Sequence, residues 1–143
     1  MARGNSVNPQ ISLYLARLLG PVLVAAGLGM MLDQAGYLAM AGEFLKSPAL
    51  VYLAAVLGLL AGVALVLAHN VWAADWRVLI TLLGWISILD SATWLLSPRQ
   101  AAQFYAPLLA SPALPLVAGA VVALLGAVLC YFGYAAKSAG RRK

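Results

Sequence analysis

The sequence predicts an all-α membrane protein of four transmembrane helices, arranged as two tandem, parallel helix–interfacial segment–helix repeats. Three observations lead there. First, 64% of the residues are hydrophobic and 9% are charged, where a soluble domain of this size carries roughly 25% charged residues. Second, the apolar residues fall in four blocks, Ile11–Leu32, Ala49–His69, Val78–Ser97 and Ala113–Ala135. Each reaches the roughly 20 residues that cross a hydrocarbon core. Lipid satisfies no backbone polar group, so each block has to be helical. Third, the chain matches itself at a shift of 64 residues, with 14 identities over residues 15–65 against 79–129. Composition alone would give about 5, so the match marks a duplication.

The elements follow in order. Met1–Gln10 is short and polar, with Arg3 its one charged side chain. The apolar run after it is too long for a signal-peptide core, which predicts a retained first helix. Pro21 removes one backbone hydrogen bond inside that helix and predicts a kink. In Ala35–Lys46, Tyr37, Leu38, Ala41, Phe44 and Leu45 recur at helical spacing in a stretch too short to span. Such residues at a membrane edge predict a short interfacial helix, with an irregular hydrophobic loop as the alternative. Ser47-Pro48-Ala49-Leu50 then starts the second span, and Ser111-Pro112-Ala113-Leu114 starts the fourth at the equivalent place. Serine suits the helix N-cap and proline the first helical turn. Ahead of the fourth span, Phe104, Tyr105, Leu108 and Leu109 repeat the interfacial pattern, with Pro107 limiting its regularity. Gly58 and Gly62, Ala16 and Gly20, and Gly119 and Ala123 are pairs of small residues four apart, which let helix backbones approach closely.

The whole of 1–143 reads as a single transmembrane domain, with repeat 1 over about 11–70, repeat 2 over about 75–135 and a basic tail over 136–143. Each repeat crosses twice, so both enter in the same sense, related by a two-fold axis along the membrane normal. Arg3, Arg77, Lys137, Arg141, Arg142 and Lys143 share one side with Arg17 near it, against Lys46 and Arg99 on the other. The positive-inside rule therefore predicts both termini in the cytoplasm. The net charge of +5 is accounted for by topology and contact with anionic membrane lipid, so no nucleic acid is needed to explain it.

Two groups of polar residues are candidates for function. Asp90 sits about 12 residues into the third span, roughly 18 Å deep. A carboxylate there has to be paired, protonated or hydrated. Ser87, Asp90, Ser91 and Trp94 share one helix face. That polar stripe either bonds a neighbouring helix or handles a proton or ligand. Arg17, in the first span, either snorkels to the interface or forms an ion pair with Asp90. The second group is the connection between the repeats, where His69, Asn70, Trp72, Asp75, Trp76 and Arg77 fall within nine residues. It either anchors helix ends at the interface or docks a partner or lipid headgroup.

The residue inventory argues against other classes. One histidine, one cysteine and four acidic residues (Asp33, Glu43, Asp75, Asp90) leave no metal-ligand spacing, thiol pair, phosphate loop or nucleophile motif. The expectation is a non-enzyme without a cofactor. Cys130, inside the fourth span, reads as a small packing residue.

The stretch Leu67-Ala68-His69-Asn70-Val71-Trp72, continuing through Asp75-Trp76-Arg77 to Ile80-Thr81-Leu82-Leu83-Gly84-Trp85, resembles small uncharacterised bacterial four-helix inner-membrane proteins. The resemblance implies a bacterial inner (plasma) membrane location and carries no activity. The chain departs from the small multidrug transporters, whose carboxylate lies in the first of four helices; here that helix carries Arg17. Two readings of function remain: a structural or interaction subunit bound to a membrane-protein partner or to its own copies, and a small oligomeric transporter or channel with Asp90 in the path.

Overall fold

The computed structural model describes residues 9–72 and 74–139, with the side chains of 136–139 excepted. Six helices follow one another: α1 (Pro9–Leu32), α2 (Gln34–Leu45), α3 (Pro48–Ala68), α4 (Arg77–Leu96), α5 (Pro98–Leu109) and α6 (Leu114–Ala139). Four of these contain stretches long and apolar enough to cross a membrane, Pro9–Leu32, Pro48–Ala68, Arg77–Leu96 and Leu114–Ala135. They coincide with the four blocks read from the sequence. The two stretches ahead of the second and fourth spans are both helical, as α2 and α5. Pro107 lies inside α5 and does not end it.

The junctions have local causes. Asp33 caps α2, its Oδ1 accepting from Gly36 N at 2.9 Å. Asp75 does the same work for α4, accepting from the Arg77 amide at 2.8 Å. It also pairs with the Arg77 guanidinium at 2.7 Å. The expected serine caps take a different form. Ser47 precedes Pro48 but its hydroxyl makes no capping bond; its carbonyl accepts from Val51 N instead. Ser111-Pro112-Ala113 forms a turn, and α6 begins only at Leu114. Proline, with its fixed φ, shapes these starts more than the hydroxyl does. α6 runs on to Ala139, so the first part of the stretch read as a tail is helix. Arg3 and residues 140–143 lie outside the described residues, as does the Lys137 side chain.

The long helices pack as two pairs, α1 with α6 and α3 with α4. Small residues make both seams. A Cβ on Gly27 would collide with the backbone of Ala123 and Gly119, and one on Gly20 would lie 2.9 Å from Cys130 N. In the other pair, a Cβ on Gly62 would lie 2.9 Å from the Gly84 carbonyl oxygen. Without a hydrophobic force between helices in lipid, such close backbone approach is the main source of packing energy. The pairs meet around Ala16, Ile80 and Leu129, with Leu19, Leu65 and Leu83 against them. That core occupies the end of the bundle holding the α3–α4 connection, the His69 end. At the opposite end, the Asp90 end, α2 and α5 join the long helices and a cavity opens.

Candidate functional site

The cavity has a volume of about 390 Å³ and is lined from α2, α3, α4 and α5. Its walls are largely apolar, including Phe44 and Leu45 of α2, Val51 and Ala54 of α3 and Leu109 of α5. The 3.6-residue period of α4 turns Ser87, Asp90, Ser91 and Trp94 together into it. Ser91 is buried against α3 at Gly58, where a Cβ would meet Ser91 Oγ at 2.5 Å. Ser87 Oγ donates to the Gly58 carbonyl at 2.8 Å. Both serines therefore fasten α4 to α3, and Asp90 is left facing the opening, exposed.

The partner of Asp90 comes from α5. Tyr105 donates its phenolic O–H to Asp90 Oδ1 at 2.5 Å, a short bond of the kind a charged acceptor makes. Trp94 stacks on the Tyr105 ring, with centroids 5.6 Å apart and planes 14° apart. Phe104 meets the same ring edge-on at 5.4 Å. Burial, and after it the bond to Asp90, pushes the Tyr105 phenol up to about 12. A second cavity, of about 370 Å³, shares Asp90 and Tyr105 and is otherwise lined by Thr93, Gln100, Ala101 and Phe104. The carboxylate and phenol thus line both spaces.

Tyr105 is the functional candidate the sequence reading did not place in the site. An unpaired intramembrane carboxylate calls for a donor, and the next hydroxyl-bearing aromatic along the chain is Tyr105. Nothing in the sequence fixes how α5 folds back over α4, however. In Asp90→Asn, the Tyr105 pKa should fall from about 12 only part of the way to the ordinary value of about 10, because burial is its larger cause. NMR of ring-labelled tyrosine across an alkaline titration, with Tyr105→Phe to assign the signal, checks this. An unmoved Tyr105 signal would mean that the carboxylate does nothing for the phenol.

Arg17 is not part of this site. Its Nε donates to the Gly133 carbonyl at 2.6 Å, and its guanidinium lies 5.9 Å from the Tyr134 ring centre. The contemplated Arg17–Asp90 ion pair does not form, because Arg17 lies toward the His69 end against α6, while Asp90 faces α5 at the far end.

The connection between α3 and α4 divides in two. His69 is fully buried, which removes it from any docking surface. Its Nε2 lies 2.9 Å from Ser12 Oγ on α1, and its Nδ1 lies 3.4 Å from Thr81 Oγ1 on α4. Burial lowers its pKa from the ordinary 6.5, with the Arg77 charge adding to the shift. Thr81 also accepts from Val71 N at 3.0 Å, tying the loop down. Trp76 is half-buried and stacks on Phe132 of α6 at 5.5 Å. Asp75 and Arg77 hold each other, and Arg77 keeps the Asp75 carboxyl below its ordinary value. Asn70 and Trp72 remain outside, with Trp72 Nε1 donating to Asn70 Oδ1 at 2.7 Å.

Among the described residues no group of three His, Cys, Asp or Glu side chains is placed to hold a metal. The four long apolar helices make the chain a multi-pass membrane protein. Compared with protein-family profiles, curated proteins and solved structures, the chain finds no match.

Proposed function

We propose that this chain is a small, non-enzymatic transporter of the bacterial inner membrane, with both termini in the cytoplasm and Asp90 as its working ionisable group. One observation carries the reading: a cavity reaches an exposed intramembrane carboxylate whose one hydrogen bond among the described residues is to a phenol. A carboxylate kept merely for packing would be dry and bonded to a helix backbone or a cation. The cavity opens at one end of the bundle, while the Ala16–Ile80–Leu129 core closes the other, as in one side of an alternating-access cycle. The orientation rests on the distribution of Lys and Arg.

The tandem repeat supports a site built by divergence of one copy. Arg17 meets Gly133, and the positions 64 residues away, Thr81 and His69, also meet. Gly20 crosses Gly126 as Gly84 crosses Gly62. Against this correspondence the site stands out. Positions 90 and 105 hold Asp and Tyr, and their counterparts 26 and 41 are both Ala. Tyr37 fills the space against Gly29, whereas the counterparts Ala101 and Thr93 line an open cavity.

Proteoliposomes under an imposed pH gradient should lose it faster with the wild-type chain than with Asp90→Asn, whose rate should fall to that of protein-free vesicles. Equal rates for all three would take Asp90 out of any path. The second reading, an interaction subunit, would then stand. It is favoured by Trp72, 65% exposed at the His69 end, which suits contact with lipid headgroups, a membrane-protein partner or a second copy of the chain. Neither reading involves a nucleic acid.

A further inference from the structure

The chemistry of the cavity narrows its occupant, and the inference rests on the proposed role of Asp90. Two of the other acidic side chains are paired with a cation, and Asp33 lies outside the cavities. Asp33 caps α2, Glu43 pairs with Lys46 at 2.7 Å and Asp75 pairs with Arg77. Asp90 has only the Tyr105 hydroxyl on Oδ1, and among the described residues no protein donor reaches Oδ2. No lysine or arginine lines either cavity. Oδ2 is therefore open to whatever enters.

Apart from Ser87 and Ser91, which pack against α3 at Gly58, the remainder of the larger cavity's lining is apolar or aromatic. The stacked faces of Trp94 and Tyr105 stand beside the carboxylate, and Phe44, Leu45 and Leu109 close the far wall. Aromatic faces attract a cation held over them, and an apolar wall takes a hydrocarbon body out of water. The volume is in the range of pockets that hold compact organic molecules. An inorganic cation would find one carboxylate and the hydroxyls of Ser87, Ser91 and Tyr105, of which Ser87 is already bonded to the Gly58 carbonyl, fewer ligands than replace a hydration shell. We propose that the Asp90 cavity binds a lipophilic organic monocation, its protonated amine donating to Asp90 Oδ2 and its apolar body lying along Trp94 and the α2–α3 wall.

Three compounds with one body and different heads test the class: 1-naphthylmethylammonium, 1-naphthalenemethanol and 1-naphthoate. Each is equilibrated by dialysis against the full-length chain in phosphatidylcholine nanodiscs, with empty nanodiscs as the reference. The ammonium compound should bind about tenfold more tightly than the alcohol, the sum of an exposed ion pair and a cation–π contact, and the naphthoate should not exceed the empty discs. Asp90→Asn should abolish that preference. Ala54→Phe, which fills the cavity and leaves the carboxylate in place, should weaken the ammonium and alcohol compounds together. Unchanged thermal unfolding of both variants shows that they remain folded; if Asp90→Asn unfolds, Ala54→Phe alone decides whether binding is in the cavity.

Equal binding of ammonium and alcohol, both lost in Ala54→Phe, would overturn the cationic class and leave a working cavity. Ammonium binding that is the same in wild type and both variants would be partition into lipid and would overturn the site. No binding above empty discs, together with proton flux that still depends on Asp90, would overturn this inference and spare the transport reading; the loss of both would remove the two together.

Discussion

Gly27→Ile is expected to pry α1 from α6 and to cost about 3 kcal/mol of stability, which is about 10 °C in the unfolding temperature of a chain this size. The reason is geometric. A Cβ at this position meets the backbone nitrogen of Ala123 and the carbonyl of Gly119, and lies 2.8 Å from Ala123 Cα. Backbone cannot move aside as a side-chain tip can, so the whole helix has to shift. The shift would open a seam that includes Gly20, Gly126 and Gly133. Gly42→Ala is the matched control. A Cβ on Gly42 meets nothing within 4 Å, and alanine is the better helix former by about 1 kcal/mol, so this variant should be as stable as wild type or more so. Thermal unfolding in a mild detergent, followed by far-UV circular dichroism, separates the two. If Gly27→Ile melts with the wild type, α1 and α6 are not held by close backbone approach.

His69→Ala is expected to cost about 3 kcal/mol, because it leaves a void between three elements and strips Ser12 and Thr81 of a shared partner. The same residue should give the wild type a pH dependence of definite sign. Burial lowers the His69 pKa in the folded chain below the unfolded value of 6.5. In the window from 6.5 down to the folded value, the unfolded chain holds a proton that the folded chain refuses. Stability is therefore complete above pH 6.5 and declines as the pH falls below it. Asp75 acts in a separate, more acidic window. Its folded pKa lies below 3.8 because Arg77 pairs with it, so its contribution is kept above 3.8 and lost as the pH falls through the folded value. Unfolding temperatures measured between pH 7.5 and 5 should fall for wild type and stay level for His69→Ala. Parallel slopes for the two proteins would assign the effect to another group. The exposed side chains in the connection, Asn70 and Trp72, should contribute little to this slope.

The His69 end is sealed by a small core and a buried polar knot, and the Asp90 end is hollow. Under the transport reading proposed above, the hollow end would be the accessible one and the sealed end the closed one. The stacked Trp94–Tyr105 pair holds the phenol that bonds the carboxylate, and both cavities are lined by that bonded pair.

The amino-acid sequence by itself determined the four spans. The medium decides them: twenty apolar residues in lipid have to be helical, so length and composition suffice. It determined the small-residue seams as well, since Gly58, Gly62, Ala16, Gly20, Gly119 and Ala123 stand four apart on their helices. It also placed Ser87, Asp90, Ser91 and Trp94 on one face, because the helical period is fixed. What it left open was pairing across the chain. That α1 lies against α6 depends on contacts between residues far apart in the chain, such as Arg17 and Gly133 or Gly27 and Ala123, and no local pattern encodes them. For the same reason only the tertiary structure decided that Arg17 is spent on a backbone carbonyl, that His69 is buried, and that Asp90 takes its hydrogen bond from Tyr105. A helix dictates its own faces through covalent geometry and a repeating hydrogen bond, but which neighbour each face meets is a property of the packed bundle.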